Sequence, residues 1–187
     1  MYVRQEVDHY YDFFLPEMNK LGYSGYFAPK PTSACLDTNV ISMNSSTMPS
    51  ADGCVLFISR KKFKVISCES KTLALSVAGL VDGELLEDDR NIKAQNQVAL
   101  FAVCEFTTDD SNTKSVNNKL YNYPNQPSAP PPLIICTTHL KSAKTTVGEL
   151  YRQKAIYQIL DMVENLYCKF ADVGRTPAVL ISGKYLI

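Results

Sequence analysis

The sequence predicts a mixed α/β domain in which helices cover a sheet. Several apolar runs have the length of buried strands, and a strand, a long amphipathic helix and a second strand follow one another near the end of the chain. That order favours two parallel strands joined by a crossover helix. The 187 residues suffice for one domain with its own core, and the apolar and charged fractions are those of an ordinary globular protein.

The first predicted elements are a helix and a strand. Apolar side chains recur at helical spacing across residues 8–21, which predicts an amphipathic helix with Asp8 as its N-cap and Gly22 as its stop. Pro16 lies inside that span and predicts a kink or a break. Residues 23–28 alternate aromatic and small side chains before a proline, which predicts a strand.

The middle of the chain predicts further strands. Three clear apolar runs cover residues 53–59, 98–106 and 133–138. Residues 63–68 follow a basic turn, and we expect them to form a hairpin with the first of these runs. Residues 73–80 are apolar and fit either a strand or a short helix.

Two polar segments interrupt these strands. Residues near 31–52 and 107–132 are rich in Ser, Asn and Pro and show no apolar period, so they predict long loops inside a single domain that covers 1–187. Cysteines are scattered singly without a CxxC pair, which argues against a structural zinc site.

A long helix is predicted near the end of the chain. Thr146 followed by Glu149 has the pattern of a capping box. The apolar stripe that we expect to cover the sheet consists of Ile156, Ile159, Leu160, Val163, Leu166, Tyr167 and Phe170. Pro177 then introduces a short apolar strand over residues 178–182.

Charge and targeting signals narrow the function classes. The formal net charge is zero, so any nucleic-acid or nucleotide site must rest on a local basic pocket. The chain starts without a secretory signal, and no apolar run is long enough to cross a membrane. These features predict a cytoplasmic location, with a mitochondrial one left open if the natural N-terminus lies upstream.

One acid and one histidine are the strongest candidates for chemistry. Glu6 precedes the predicted first helix, where a carboxylate can bind a hard cation such as Mg²⁺ or can simply be an acid of the first helical turn that the helix dipole stabilises. His139 follows a very apolar strand, at the kind of position where sites collect. It could donate to a phosphoryl oxygen or be a partly buried structural histidine.

Two lysines could complete a phosphate site. Lys30 follows a predicted strand, and Lys141 lies two positions after His139, so both could bind phosphate as point charges or remain solvated. His9 fits a surface or packing position. The sequence contains no Gly-rich phosphate loop, no G-x-S-x-G elbow and no H-E-x-x-H.

Six segments in this order resemble the endonuclease/exonuclease/phosphatase superfamily, and within it the branch related to the carbon catabolite repression deadenylases. They are Gln5-Glu6-Val7-Asp8-His9-Tyr10, Leu21-Gly22-Tyr23, Pro29-Lys30-Pro31, Asp52-Gly53-Cys54, Phe63-Lys64 and Thr138-His139-Leu140-Lys141. The resemblance implies a two-sheet α/β sandwich with helices outside.

The resemblance also implies an activity and a site. It implies Mg²⁺-dependent phosphoester hydrolysis, with NADP(H), as a 2′-phosphatase substrate, or poly(A) RNA, as a 3′-exonuclease substrate. Glu6 matches the metal-binding glutamate and His139 the active-site histidine. Lys30 and Lys141 match lysines near the substrate phosphates.

Three departures qualify this resemblance. The superfamily continues its last strand into Gly-Asp-Phe-Asn, whereas here Gly183 is followed by Lys184 and the chain ends at Ile187. An arginine expected soon after Lys141 is replaced by Ser142-Ala143-Lys144. An early strand with a metal-side Asn is also absent.

We therefore expect a partial domain that lacks N- and C-terminal elements and is inactive as a hydrolase. The alternative is a non-catalytic chain with residual nucleotide or metal binding, or a protein-interaction role.

Overall fold

The computed structural model describes residues 1–31, 51–73, 97–107, 130–140 and 144–184. These residues form seven strands, a π-helical turn and two α-helices. The strands are β1 Tyr2–Val7, β2 Tyr23–Pro29, β3 Gly53–Ser59, β4 Phe63–Leu73, β5 Gln97–Phe106, β6 Leu133–His139 and β7 Ala178–Lys184. The π-helical turn is Tyr10–Phe14, and the helices are α1 Leu15–Lys20 and α2 Thr146–Ala171.

The strands form two sheets. The first has the order β1-β3-β2 and is antiparallel throughout. The second has the order β4-β5-β6-β7, in which only β6 and β7 run parallel, joined by α2 as the sequence predicted. The predicted mixed α/β class with two sheets and outer helices is thereby confirmed.

Three cores hold these layers together. One lies between α2 and the second sheet, one between the two sheets, and one between the first sheet and the segment of the π-helical turn and α1. Strand β5 shows the division, because Phe101 and Val103 face α2 while Leu100 and Cys104 face the first sheet. A strand buried on both faces reads as a continuous apolar run, which is why its prediction was correct.

The predicted hairpin of residues 53–59 with 63–68 is wrong. Strand β4 pairs with β5 in the second sheet, not with β3. Both edges of β3 are already hydrogen-bonded, to β1 on one side and to β2 on the other. The turn at residues 60–62 therefore carries the chain from one sheet to the other.

The first helix also differs from the prediction. Residues 2–7 form β1, which the sequence reasoning missed, and the N-cap is His9 rather than Asp8. Pro16 lies beside the junction at which the π-helical turn gives way to α1, within helical backbone that continues through Phe14 and Leu15, so the change of helix type falls where the sequence predicted a kink or a break. Gly22 ends the segment with φ of 81°, as predicted.

Helix α2 begins one residue earlier than its predicted cap implied. Thr145 is the N-cap, and its hydroxyl accepts a hydrogen bond of 3.0 Å from the Gly148 N–H. The apolar stripe is confirmed at Ile159, Val163 and Leu166. Leu160, which was assigned to the stripe, is 46% exposed.

The remaining predictions fall partly outside the described residues. Most of the predicted loops near 31–52 and 107–132, and residues 74–80, lie outside them. No helix in the described part of the chain is long and apolar enough to cross a membrane. The five cysteines that the structure describes are free thiols.

The shifted cap gives a direct test of α2. Thr145→Ala should lower the free energy of unfolding by about 1 kcal/mol, because the Gly148 N–H loses its acceptor. Thr146→Ala should change it by a few tenths of that amount, since Thr146 is the first helical residue. Urea unfolding followed by circular dichroism measures both, and equal losses would contradict the assignment.

Candidate active site

The candidate site lies where several strands end. Val7, at the end of β1, and Pro29, at the end of β2, both pair with Gly53, the first residue of β3. A Cβ on Gly53 would lie 2.2 Å from the carbonyl oxygen of Ala28, so only glycine allows this approach. Glu6 and Lys30 are therefore held on either side of one fixed point.

A β-bulge aims Glu6 at the second sheet. Arg4 pairs with Val55 and Val7 with Gly53, so Gln5 and Glu6 together oppose the single residue Cys54. Strand β1 thus has one more residue than β3 between the two flanking pairs, which is the definition of a β-bulge. Glu6 takes up the irregularity with a φ of 55°, which is the left-handed region that non-glycine residues rarely adopt.

The bulge changes the face of the strand that each side chain occupies. Val3 packs in the core between the sheets, whereas Val7 packs on the other face with Tyr10 and Phe57. Strict alternation would place Val3 and Val7 on one face. The extra residue lets Glu6 point between the sheets while Val7 joins the core beneath the π-helical turn.

His139 meets Glu6 across the gap between the sheets. It is the last residue of β6, and its Nδ1 lies 3.2 Å from Oε1 of Glu6, an ion-pairing distance when the ring is protonated. The histidine side chain is 11% exposed and the glutamate side chain 54%. The pair therefore consists of a buried imidazole and a carboxylate that remains open to solvent.

Cys54 forms the floor beneath this pair. Its thiol donates to the Val98 carbonyl at 3.7 Å, and the same carbonyl accepts the Thr138 hydroxyl at 3.0 Å. Burial raises the pKa of the Cys54 thiol to about 12, and a hydrogen bond from the His139 backbone acts in the opposite direction. The thiol is therefore protonated at neutral pH and acts as a packing group, not as a nucleophile.

Lys30 is held by a partner that the sequence reasoning did not single out. Its ammonium forms an ion pair with the Asp52 carboxylate, and the two side chains are 16% and 15% exposed. The Lys30 N–H also donates to the Asp52 carbonyl at 2.9 Å. Lys30 and Asp52 are thus joined at two points across the ends of β2 and β3.

Some of the predicted site residues lie together in the structure and others do not. The structure brings Glu6 and His139 together and places Lys30 at a neighbouring strand end, while Lys141 lies outside the described residues. His9 is exposed and pairs with Asp12 at 2.9 Å, which raises the pKa of its imidazole. Its predicted surface position is confirmed.

Sequence reasoning missed Asp52 and Cys54 as members of this region. Both belong to the Asp52-Gly53-Cys54 segment that carried part of the resemblance, and an acid directly before a buried strand was the signal available. It also assigned Glu6 to a helix start, whereas Glu6 lies in β1. Within the described residues, no group of three or more His, Cys, Asp or Glu side chains could hold a metal by itself.

Comparison with solved structures defines the class of fold. No protein-family model matches the chain. The human nocturnin catalytic domain, solved with a bound sulfate anion, matches 97% of this chain and 49% of its own chain at a TM-score of 0.62 and 24% identity. ANGEL2, a 2′,3′-cyclic phosphatase, matches at the same TM-score of 0.62, 14% identity and 38% of its own chain. The chain has the endonuclease/exonuclease/phosphatase type of α/β sandwich.

One third of the chain is similar in sequence to nocturnin. The chain is 49% identical to nocturnin of Mus musculus and 46% identical to nocturnin of Homo sapiens, each over 63 residues, or 34% of this chain and 13% of the relative. It is 24% identical over 107 residues to the CCR4-NOT transcription complex subunit 6-like-B of Xenopus laevis, covering 18% of that protein. The chain spans about half of the solved nocturnin catalytic domain, 49% of it.

The strained backbone at Glu6 predicts an unusual ranking of variants. Glu6→Gly should be more stable than Glu6→Ala by ~1 kcal/mol, because both lose the contact with His139 but only glycine adopts a positive φ freely. At the neighbouring Gln5 the order should reverse, since glycine weakens an ordinary strand position. Urea midpoints of the four variants give the answer, and Glu6→Ala as the more stable of its pair would refute the strain.

Because the ion pair of Lys30 is mostly buried, its removal should lower the free energy of unfolding more than removal of an exposed pair does. Lys30→Met should lower the free energy of unfolding by roughly 1–3 kcal/mol, because it leaves the Asp52 carboxylate in a mostly buried position without its ammonium partner. Lys20→Met is the matched control, since Lys20 pairs with Glu17 while 69% exposed and should cost less than about 0.5 kcal/mol. Equal losses in urea unfolding would show that burial of the pair does not matter.

Proposed function

We propose that this chain carries the Mg²⁺- and phosphate-binding part of a phosphohydrolase site of the nocturnin type. The observation that supports it best is the meeting of Glu6 and His139, which come from distant parts of the sequence, across the two sheets. The bulge and the positive φ of Glu6 add to it, because backbone strain of this kind collects at functional sites.

The Glu6 carboxylate fits a hard divalent cation. Mg²⁺ in nucleotide sites is bound through one or two carboxylates, with water and substrate phosphate completing its shell. Glu6 supplies one carboxylate that is 54% exposed, and Oε1 faces His139, so Oε2 would be the metal ligand. When bound, the metal would polarise the phosphoryl oxygen and orient a water nucleophile.

His139 and Lys30 would act on the phosphate. A protonated imidazole donates from both nitrogens, so Nδ1 would interact with Glu6 while Nε2 donates to a phosphoryl oxygen. Lys30 would contribute its positive charge at a fixed position, because Asp52 holds it at two points. We retain Lys141 as a second phosphate lysine on the strength of the sequence resemblance.

Two substrates are compatible with this site, NADP(H) with its 2′-phosphate and the 3′ end of poly(A) RNA. The zero net charge of the chain supports the smaller substrate, since tight non-specific binding of RNA needs many basic contacts. The alternative function is a non-catalytic chain that binds nucleotide and metal without turnover, as the coverage of 49% of the nocturnin domain allows. The cytoplasmic location stays a prediction.

The test separates binding from turnover. Calorimetry should show NADP⁺ binding by the 187-residue chain that weakens roughly tenfold when EDTA replaces Mg²⁺ or when Glu6 is changed to Gln. Phosphate release from NADP(H) and shortening of labelled poly(A) are then measured with this chain and with a form extended through Gly-Asp-Phe-Asn. We expect turnover only in the extended form, with losses of ~10²-fold or more in Glu6→Gln and His139→Gln.

Matched controls come from the same chain. Glu17→Gln removes an exposed acid of α1, and His9→Gln removes the other histidine, which is also exposed. Both should behave as the unchanged protein. If Glu6→Gln binds NADP⁺ as well as Glu17→Gln does in the presence of Mg²⁺, the proposed metal site is wrong.

A further inference from the structure

A cavity of about 460 Å³ lies on the other face of the first sheet, between β1, β3 and α1. We call it the outer cavity. Its walls are four aromatic rings, two aliphatic side chains and one guanidinium. The rings belong to Tyr2, Phe14, Tyr23 and Phe57, the aliphatic side chains to Met18 and Leu21, and the guanidinium to Arg4.

The volume and lining of the outer cavity suit a small organic ligand. Sites for such ligands are usually 300–1,000 Å³ in volume, mostly apolar, with a few polar groups that fix orientation. The Tyr2 and Tyr23 rings lie 5.3 Å apart and are tilted by 60°. These two rings contact each other and form one aromatic wall, against which a flat ring can pack through edge and offset contacts.

The wall formed by α1 is fixed before any ligand arrives. Arg60 donates to the carbonyl of Asn19 at 2.8 Å and to the carbonyl of Tyr23 at 2.7 Å. The backbone N–H of Arg60 also donates to the Gly22 carbonyl at 3.0 Å. These bonds join the end of α1 to β2 and β3, so less conformational entropy is lost on binding than for a mobile groove.

Arg4 gives the cavity a preferred charge. It is exposed in β1, and none of the ion pairs among the described residues involves it. A guanidinium beside aromatic walls favours a carboxylate, sulfonate or phosphate attached to an apolar body.

We propose that the outer cavity binds flat aromatic anions, with the ring packed against the aromatic side chains and the anionic group on Arg4. This site is separate from the cleft of Glu6 and His139, because the bulge in β1 places Arg4 on the opposite face of the sheet. It does not depend on the proposed hydrolase function.

The experiment uses the full chain and naphthalene-2-sulfonate as the probe. The chain contains no tryptophan, so the fluorescence anisotropy of the naphthalene ring can be followed directly. We expect saturable binding of this anion and binding at least tenfold weaker for the matched cation, 2-naphthylmethylammonium. Equal binding of anion and cation would overturn the proposal.

Variants at exposed positions locate the site without disturbing the core. Arg4→Gln should weaken sulfonate binding roughly tenfold through loss of a charge-assisted contact, whereas Arg4→Lys should retain part of it. Lys20→Gln is the control, since it removes one positive charge from α1 outside the cavity lining and should have no effect.

A second substitution tests the same location by repulsion. Leu21 lines the cavity and is 70% exposed, so Leu21→Glu keeps the fold and should weaken binding of the sulfonate but not of the cation. Unchanged sulfonate affinity in both Arg4→Gln and Leu21→Glu would show that the probe binds elsewhere.

Discussion

The occupation of both edges of β3 is the constraint from which most of the structure follows. Because β1 and β2 flank β3, the chain after β3 cannot pair with β3, and its next strand, β4, pairs with β5 in the second sheet. The first residue of β3 is also the point at which β1 and β2 end, and the close approach at Gly53 admits no side chain. Glu6 and Lys30 are consequently placed by backbone pairing and not by loops, which is the more rigid way to hold a site.

The pairing of β1 with β3 contains the one irregularity that gives the cleft its acid. A regular β1 would leave Glu6 on the face of Arg4, away from His139. The bulge brings the Glu6 carboxylate beneath the second sheet, and Glu6 itself adopts a left-handed backbone conformation with a φ of 55°. Local strain at one position, supported by paired strands on both sides, is how a fold keeps a group where its own conformational preference would not place it.

The sequence predicted most of the strands and helices of this fold, but apart from the parallel pair of β6 and β7 it did not predict which strands pair with one another. Strands buried on both faces, such as β5 and β6, are apolar throughout and were found from composition alone. Strand β1 was missed because Arg4, Gln5 and Glu6 are polar and an edge strand of six residues carries little signal. The pairing of β4 could not be predicted, since the sequence does not reveal that both edges of β3 are taken.

The site was predictable in its residue types but not in its geometry. Glu6 and His139 were chosen because of their positions next to apolar elements, and the structure places them 3.2 Å apart. The bulge that produces this contact has no sequence signature, because its left-handed residue is a glutamate and not a glycine. Asp52 escaped notice for a similar reason, since an acid before a strand reads as a solvated loop residue until its lysine partner is known.

The bulge has a second effect, on the charges of β1. Arg4 and Glu6 are two residues apart, so a regular strand would place their opposite charges side by side on one face, where each would screen the other. Because of the bulge at Gln5 and Glu6, the carboxylate faces the gap between the sheets and the guanidinium faces the outer cavity. One strand thereby presents a negative charge suited to a cation on one face and a positive charge suited to an anion on the other. The bulge that turns Glu6 toward His139 thus also removes this carboxylate from the face of Arg4, on whose charge the proposed anion site depends.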